Sequence, residues 1–107
     1  MIYVWVETFE GKANPTSWEA IGAATSMGDS VTALVFGENA AAVAEEAAKY
    51  GAENVVICED DTFKDFRLEP YAALLTKLVQ DNAPKAVVAV GTSRARELLA
   101  ASAADTD

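Results

Sequence analysis

The segment Gly91-Thr92-Ser93-Arg94-Ala95-Arg96 gathers the chain's best set of groups for gripping a ligand. Gly91 permits a tight turn. Thr92 and Ser93 place hydroxyls beside free amides at the start of a helix, and Arg94 and Arg96 add positive charge to an acidic protein. A helix N-terminus furnished this way can hold a phosphate or a carboxylate. The competing reading is an N-cap followed by two surface arginines that pair with nearby acids. Neither a G-x-G-x-x-G nor a P-loop pattern accompanies the segment, so nothing else in the sequence argues for a nucleotide.

Other reactive residue types point away from chemistry. Cys58 is the sole cysteine and closes the apolar run Val55-Val56-Ile57. The acids after it, Glu59, Asp60 and Asp61, disfavour a thiolate, so it reads as a packed strand residue. With no histidine and one cysteine, a zinc site of the usual kind lacks ligands. Glu59-Asp60-Asp61 reads as a solvated loop in preference to a hard-cation site. The serines and threonines have no histidine to act as base. Glu45 and Glu46 sit in a helical segment as solvated carboxylates. Trp5, between Val4 and Val6, reads as core, and Trp18 as helix packing. No catalytic residue and no metal ligand is assigned, and the chain reads as a non-enzyme.

These residues need elements to position them. The 107 residues make one domain, 1–107, and 51% of them are apolar, which favours a packed core over disorder. Much of that fraction is alanine, which calls for closely packed helices. Seventeen acidic against eight basic residues give a net charge of −9. That charge repels phosphates and excludes electrostatic binding to nucleic acid or to anionic membrane surfaces. No run approaches the roughly 20 apolar residues of a membrane span. The opening Ile2–Val6 is too short for a signal-peptide core and lacks its basic flank, so a cytoplasmic location is expected.

Four short runs, Ile2–Val6, Val31–Phe36, Val55–Cys58 and Ala86–Val90, are near-continuously apolar, as strands buried on both faces are. Helical spacing fills the intervals. The first helix starts near Thr16, whose capping-box partner is Glu19, or alternatively at Asn14-Pro15. Trp18, Ile21, Gly22 and Thr25 share a face, and Gly28 ends it. The second runs from Asn39, as N-cap, to Tyr50, with Val43, Ala47 and Tyr50 on one side and Gly51 as the stop. The third begins near Pro70, carries Tyr71, Leu74, Leu75, Leu78 and Val79 on one side, and ends at Asn82 and Pro84. The fourth starts at Thr92 or Ser93 and runs toward Ala104, either as a terminal cover of the sheet or as the point where the sequence stops short of the complete fold. The polar stretch from Glu59 to Glu69 is the one long connection.

Alternating strands and helices predict an α/β, Rossmann-like, three-layer doubly wound fold with a mostly parallel sheet of about four strands, in the order 3-2-1-4. Ligands of such sheets bind beyond the strands' C-terminal ends where the order reverses. Here that point lies between the first and fourth strands, at Glu7–Ala13 and Gly91–Arg96. The candidate cofactor-binding or interface residues are therefore Gly91, Thr92, Ser93, Arg94 and Arg96.

Several segments carry a family likeness. Ile2-Tyr3-Val4-Trp5-Val6-Glu7, Gly11-Lys12-Ala13-Asn14-Pro15 and Trp18-Glu19 resemble the start of electron-transfer flavoprotein alpha subunits, where a strand ending in glutamate leads through G-K-L-N-P into the first helix. Val31–Glu38 followed by Ala44–Ala52 resembles the second strand, helix and Y-G-A turn. Tyr71-Ala72-Ala73-Leu74-Leu75 resembles the third helix, and Thr92-Ser93-Arg94-Ala95-Arg96-Glu97-Leu98 the T-S-x-G-R-D-L segment. Ala95 replaces the usual glycine, and Leu99-Ala100-Ala101 stands where the family continues A-P-R.

The likeness implies a scaffold and subunit-interface role beneath a mobile flavin domain, in an alpha–beta heterodimer that passes electrons from dehydrogenases to an acceptor. It implies a beta-subunit partner, and FAD in the intact complex that this chain alone does not hold. No segment resembles the family's second, flavin-carrying domain, which implies a fragment, a shortened paralogue or one piece of a split protein, with self-association open to it when isolated. The alternative is a small module of the universal-stress-protein type that binds AMP or ATP through Gly91–Arg96.

Overall fold

A computed structural model describes residues 1–9, 11–37, 39–59, 68–89 and 93–106. The chain runs β1 (Ile2–Val6), β2 (Thr8–Phe9), β3 (Lys12–Ala13), α1 (Thr16–Thr25), β4 (Val31–Phe36), α2 (Ala40–Lys49), β5 (Asn54–Cys58), α3 (Leu68–Asn82), β6 (Ala86–Val88) and α4 (Ser93–Thr106). The four long strands form a parallel sheet in the order β5-β4-β1-β6, which is the predicted 3-2-1-4. Ile2 faces Val31 on one side and Ala86 on the other, and Phe36 faces Cys58.

Alternation along the strands sorts the core into two layers. Ile2, Val4, Val6, Val31, Ala33 and Val35 pack beneath α1 and α2. Tyr3, Trp5, Leu34 and Phe36 pack beneath Tyr71, Ala72 and Leu75 of α3 and Leu98 of α4. Central strands buried on both faces are near-continuously apolar, and β1 and β4 are so, with Thr32 the one polar residue buried among them. Trp5 is core as expected, with its ring edge-on to Tyr71 at 6.3 Å. Cys58 is half-buried against the second layer.

The helix ends show which local signals prevailed. α2 closes with Gly51 at φ 120°, the Gly51 amide bonded to Ala48 O and the Ala52 amide to Ala47 O. This is the double bond of a Schellman stop, as the glycine signalled. A Cβ on Gly51 would also sit 3.3 Å from Thr25 Cγ2. α1 buries Ser17, Ala20, Ile21 and Ala24, so its inner face is turned away from Gly22 and Thr25, which are exposed. Tyr50 is exposed instead of lining the core beside Val43 and Ala47, and it lies flat against Trp18 with ring centroids 4.8 Å apart. α3 starts two residues before Pro70, whose missing N–H costs nothing in a first turn. Most of the stretch between Glu59 and Glu69 lies outside the described residues, as does Val90.

Candidate functional site

The sheet's C-terminal rim begins where β1 ends. The chain does not turn straight into α1 but first folds β2 against β3 as a small antiparallel hairpin, pairing Thr8 with Ala13 and Phe9 with Lys12. Gly11, at φ 77°, supplies the turn conformation that other residues avoid. The hairpin is tied down on several sides. The Asn14 amide donates to Glu7 O at 2.8 Å across its base, and the Glu7 amide donates to the buried Ser17 Oγ at 3.3 Å. Thr8 Oγ1 donates to Phe36 O, the last carbonyl of β4, at 3.3 Å. Asn39 Nδ2 donates to Gly11 O at 3.0 Å.

Next along the rim, the Gly37 amide donates to Cys58 O at 2.9 Å. The Ala40 amide, at the start of α2, donates to a carboxylate oxygen of Glu59 at 3.0 Å. Bonds therefore link the ends of β1, β4 and β5 and the starts of α1 and α2. A groove of about 390 Å³, lined by Glu7, Thr8, Phe9, Lys12, Ala13 and Asn14, opens beside the hairpin, and Phe9 projects from it 63% exposed.

Two expected caps are corrected here. Asn39 does not cap α2 with its side chain; its backbone is left-handed, at φ 57° and ψ 26°, and Glu59 accepts from the first free amide of the helix, that of Ala40. Glu59 is thus a capping residue and not merely a solvated one. At α1 the alternative start prevails over Thr16 and Glu19, with Pro15 at the N-cap position. Asn14 Oδ1 accepts from the Thr16 amide at 3.1 Å and from Thr16 Oγ1 at 2.7 Å, and Asn14 O accepts from the Ser17 amide at 2.9 Å.

Of the residues singled out in the sequence, Ser93, Arg94 and Arg96 fall in the first turn of α4, and Arg96 is exposed. Gly91 and Thr92 lie outside the described residues, as do Asp60 and Asp61. Among the described residues no group of three or more His, Cys, Asp or Glu is placed to hold a metal. No helix among them is long and apolar enough to cross a membrane. The sequence reading missed the hairpin, Phe9, the side-chain role of Asn39 and the cap from Glu59. The one available signal was Gly11 two residues after the pair Thr8-Phe9, a spacing that suits a two-residue hairpin turn.

A dinucleotide such as FAD lays its pyrophosphate on open amides at a helix N-terminus, reached from the first strand through a glycine-rich turn. The described residues at the starts of α1 and α2 do not fit that group. First-turn amides of α1 are occupied by Asn14, the first amide of α2 by the Glu59 carboxylate, and β1 runs into a hairpin.

Residues 2–107 match the electron transfer flavoprotein domain. The chain is 34% identical over 95 residues to the electron transfer flavoprotein subunit alpha of Syntrophomonas wolfei, covering 89% of this chain and 30% of that protein. It is 33% identical over 101 residues to lactate dehydrogenase (NAD(+),ferredoxin) subunit LctC of Acetobacterium woodii, covering 91% and 24%. To protein FixB of Azorhizobium caulinodans it is 32% identical over 104 residues, covering 91% and 28%. The chain thus spans about a quarter to a third of the length of these relatives.

Proposed function

The chain belongs to the electron transfer flavoprotein family, and from that premise we propose that residues 1–107 form a scaffold and subunit-interface domain of the alpha-subunit type. In this reading the domain supports flavin-mediated electron transfer from dehydrogenases and pairs with an electron transfer flavoprotein beta subunit. It works in the cytoplasm as one component of an electron carrier and not as a catalyst. The FAD of the assembled complex is held elsewhere.

The observation that carries this reading is the self-capping of the rim. A phosphate at α1 would have to displace Asn14, and at α2 it would have to displace a carboxylate that already complements the helix dipole. What the rim offers outward is a tied hairpin with a projecting aromatic ring, and exposed aromatics beside polar groups are typical anchors of protein interfaces.

The reading is tested by acid-denaturing the natively purified chain and chromatographing the supernatant. Scaffold function predicts no stoichiometric FAD, AMP or ATP. Release of AMP or ATP overturns it in favour of a nucleotide site at Gly91–Arg96, and release of FAD overturns the assignment of the flavin to the rest of the complex.

A further inference from the structure

Asn39 stands at φ 57° and ψ 26°, where glycine is the cheapest residue and asparagine a tolerated one. A side chain kept at such a position calls for a use. Capping is the ordinary one, and the Asn39 side chain makes no cap hydrogen bond. The Asn39 amide instead reaches out of its own loop to the Gly11 carbonyl, 28 residues earlier, at 3.0 Å. A carbonyl only accepts, so the NH2 end of Asn39 is the end that meets it.

Gly11 sits in the hairpin turn, opposite the hairpin's base at Glu7 and Asn14. The second tie, Thr8 Oγ1 to Phe36 O, holds the hairpin's first strand to the end of β4. Together they fasten both ends of a two-stranded element that is too short to be stable alone. The two side chains act at different places: Glu59 accepts from the first amide of α2, and Asn39 reaches to the hairpin.

We infer that Asn39 is a positioning residue: its side chain clasps the β2–β3 hairpin to the start of α2 and so presets Phe9 and Lys12 for a protein partner. The part of this that concerns the partner rests on the scaffold reading above. The clasp itself does not. Presetting matters because a hairpin that had to be ordered at the moment of association would charge that entropy against affinity.

Two variants separate the clasp from the backbone conformation. Asn39→Gly keeps the left-handed turn at no steric cost and removes the side chain. Asn39→Asp nearly keeps the shape but cannot donate to a carbonyl. Amide hydrogen exchange by NMR is measured on the 107-residue chain, at Asn14 in the hairpin base and at residues of β1 and β4 in the sheet. Loss of one such bond predicts about three- to tenfold faster exchange at Asn14 in both variants, with exchange in the sheet unchanged.

Purified beta subunit is then titrated against each variant, and its affinity is predicted to fall by a similar factor, with the unfolding midpoint little altered. Unchanged exchange at Asn14 in both variants overturns the clasp, whatever the beta subunit does. Faster exchange with undiminished affinity leaves the clasp standing and overturns the presetting of Phe9 and Lys12 for this partner.

Discussion

The Asp29 carboxylate accepts a hydrogen bond from the Met1 amino group at 3.0 Å and another from the Ser30 amide at 2.8 Å. The amino group first, and the Ser30 amide second, hold its pKa below the ordinary carboxylate value. A carboxyl whose folded-state pKa is depressed contributes stability above the unfolded-state value, and that contribution is lost as the pH falls through the folded-state value. Thermal unfolding of Asp29→Asn beside the native chain should therefore show a gap at pH 6 that closes as the pH drops below the ordinary carboxylate range. A gap that stays constant from pH 6 to pH 2 would show that the charge of Asp29 is not what stabilises this end of β1. At the same scale, Trp18 of α1 and Tyr50 at the end of α2 stack flat, with ring centroids 4.8 Å apart, and so tie the two helices together.

At the scale of elements, the start of α2 depends on a residue from the end of β5. Replacing Glu59 by alanine should cost about 1 kcal/mol in denaturant unfolding, the usual worth of a cap. Glu59→Gln, which keeps an acceptor but loses the charge, should cost less. Equal stability of all three proteins would mean that Asn39 or water serves the Ala40 amide as well as Glu59 does. This exchange of roles explains what could be read from the sequence. The strands were legible as short, near-continuously apolar runs: β1 and β4 are buried on both faces, and β5 and β6 at the edges keep enough of the same pattern to be read. The stop of α2 was legible because a left-handed C-terminal residue calls for Gly51. The cap of α2 was not, because asparagine has the right chemistry both for a cap and for a left-handed turn, and only the position of Glu59 in space decides between them. The hairpin was illegible for a related reason. Two-residue strands show no periodicity, and their stability comes from Phe36 and Asn39, remote in sequence. Asn14 prevailed over Thr16 at α1 because Pro15 fixes the chain where the Asn14 oxygens face the first amides.

The molecule as a whole divides into a core that the sequence dictates and a rim that tertiary contacts assemble. The 3-2-1-4 order follows from right-handed crossovers and was predictable. The switch point expected from the sequence falls at two loops, Glu7–Ala13 and Gly91–Arg96, beyond the strands' C-terminal ends. Its ligand candidates lie in Gly91–Arg96, of which Gly91 and Thr92 fall outside the described residues; the described rim runs from Glu7 to Asn14 with Asn39 and Glu59. A hairpin held by bonds to backbone carbonyls remote in sequence leaves little trace in residue types. A net charge of −9 and the occupied first amides of α1 and α2 support the proposed role of meeting another protein over that of holding a phosphate cofactor. The central claim is therefore one of association, and sedimentation velocity of the chain mixed with purified electron transfer flavoprotein beta subunit addresses it most directly. The account predicts a one-to-one complex that Phe9→Ser weakens without unfolding the domain. A folded chain that sediments alone at every beta-subunit concentration would contradict it.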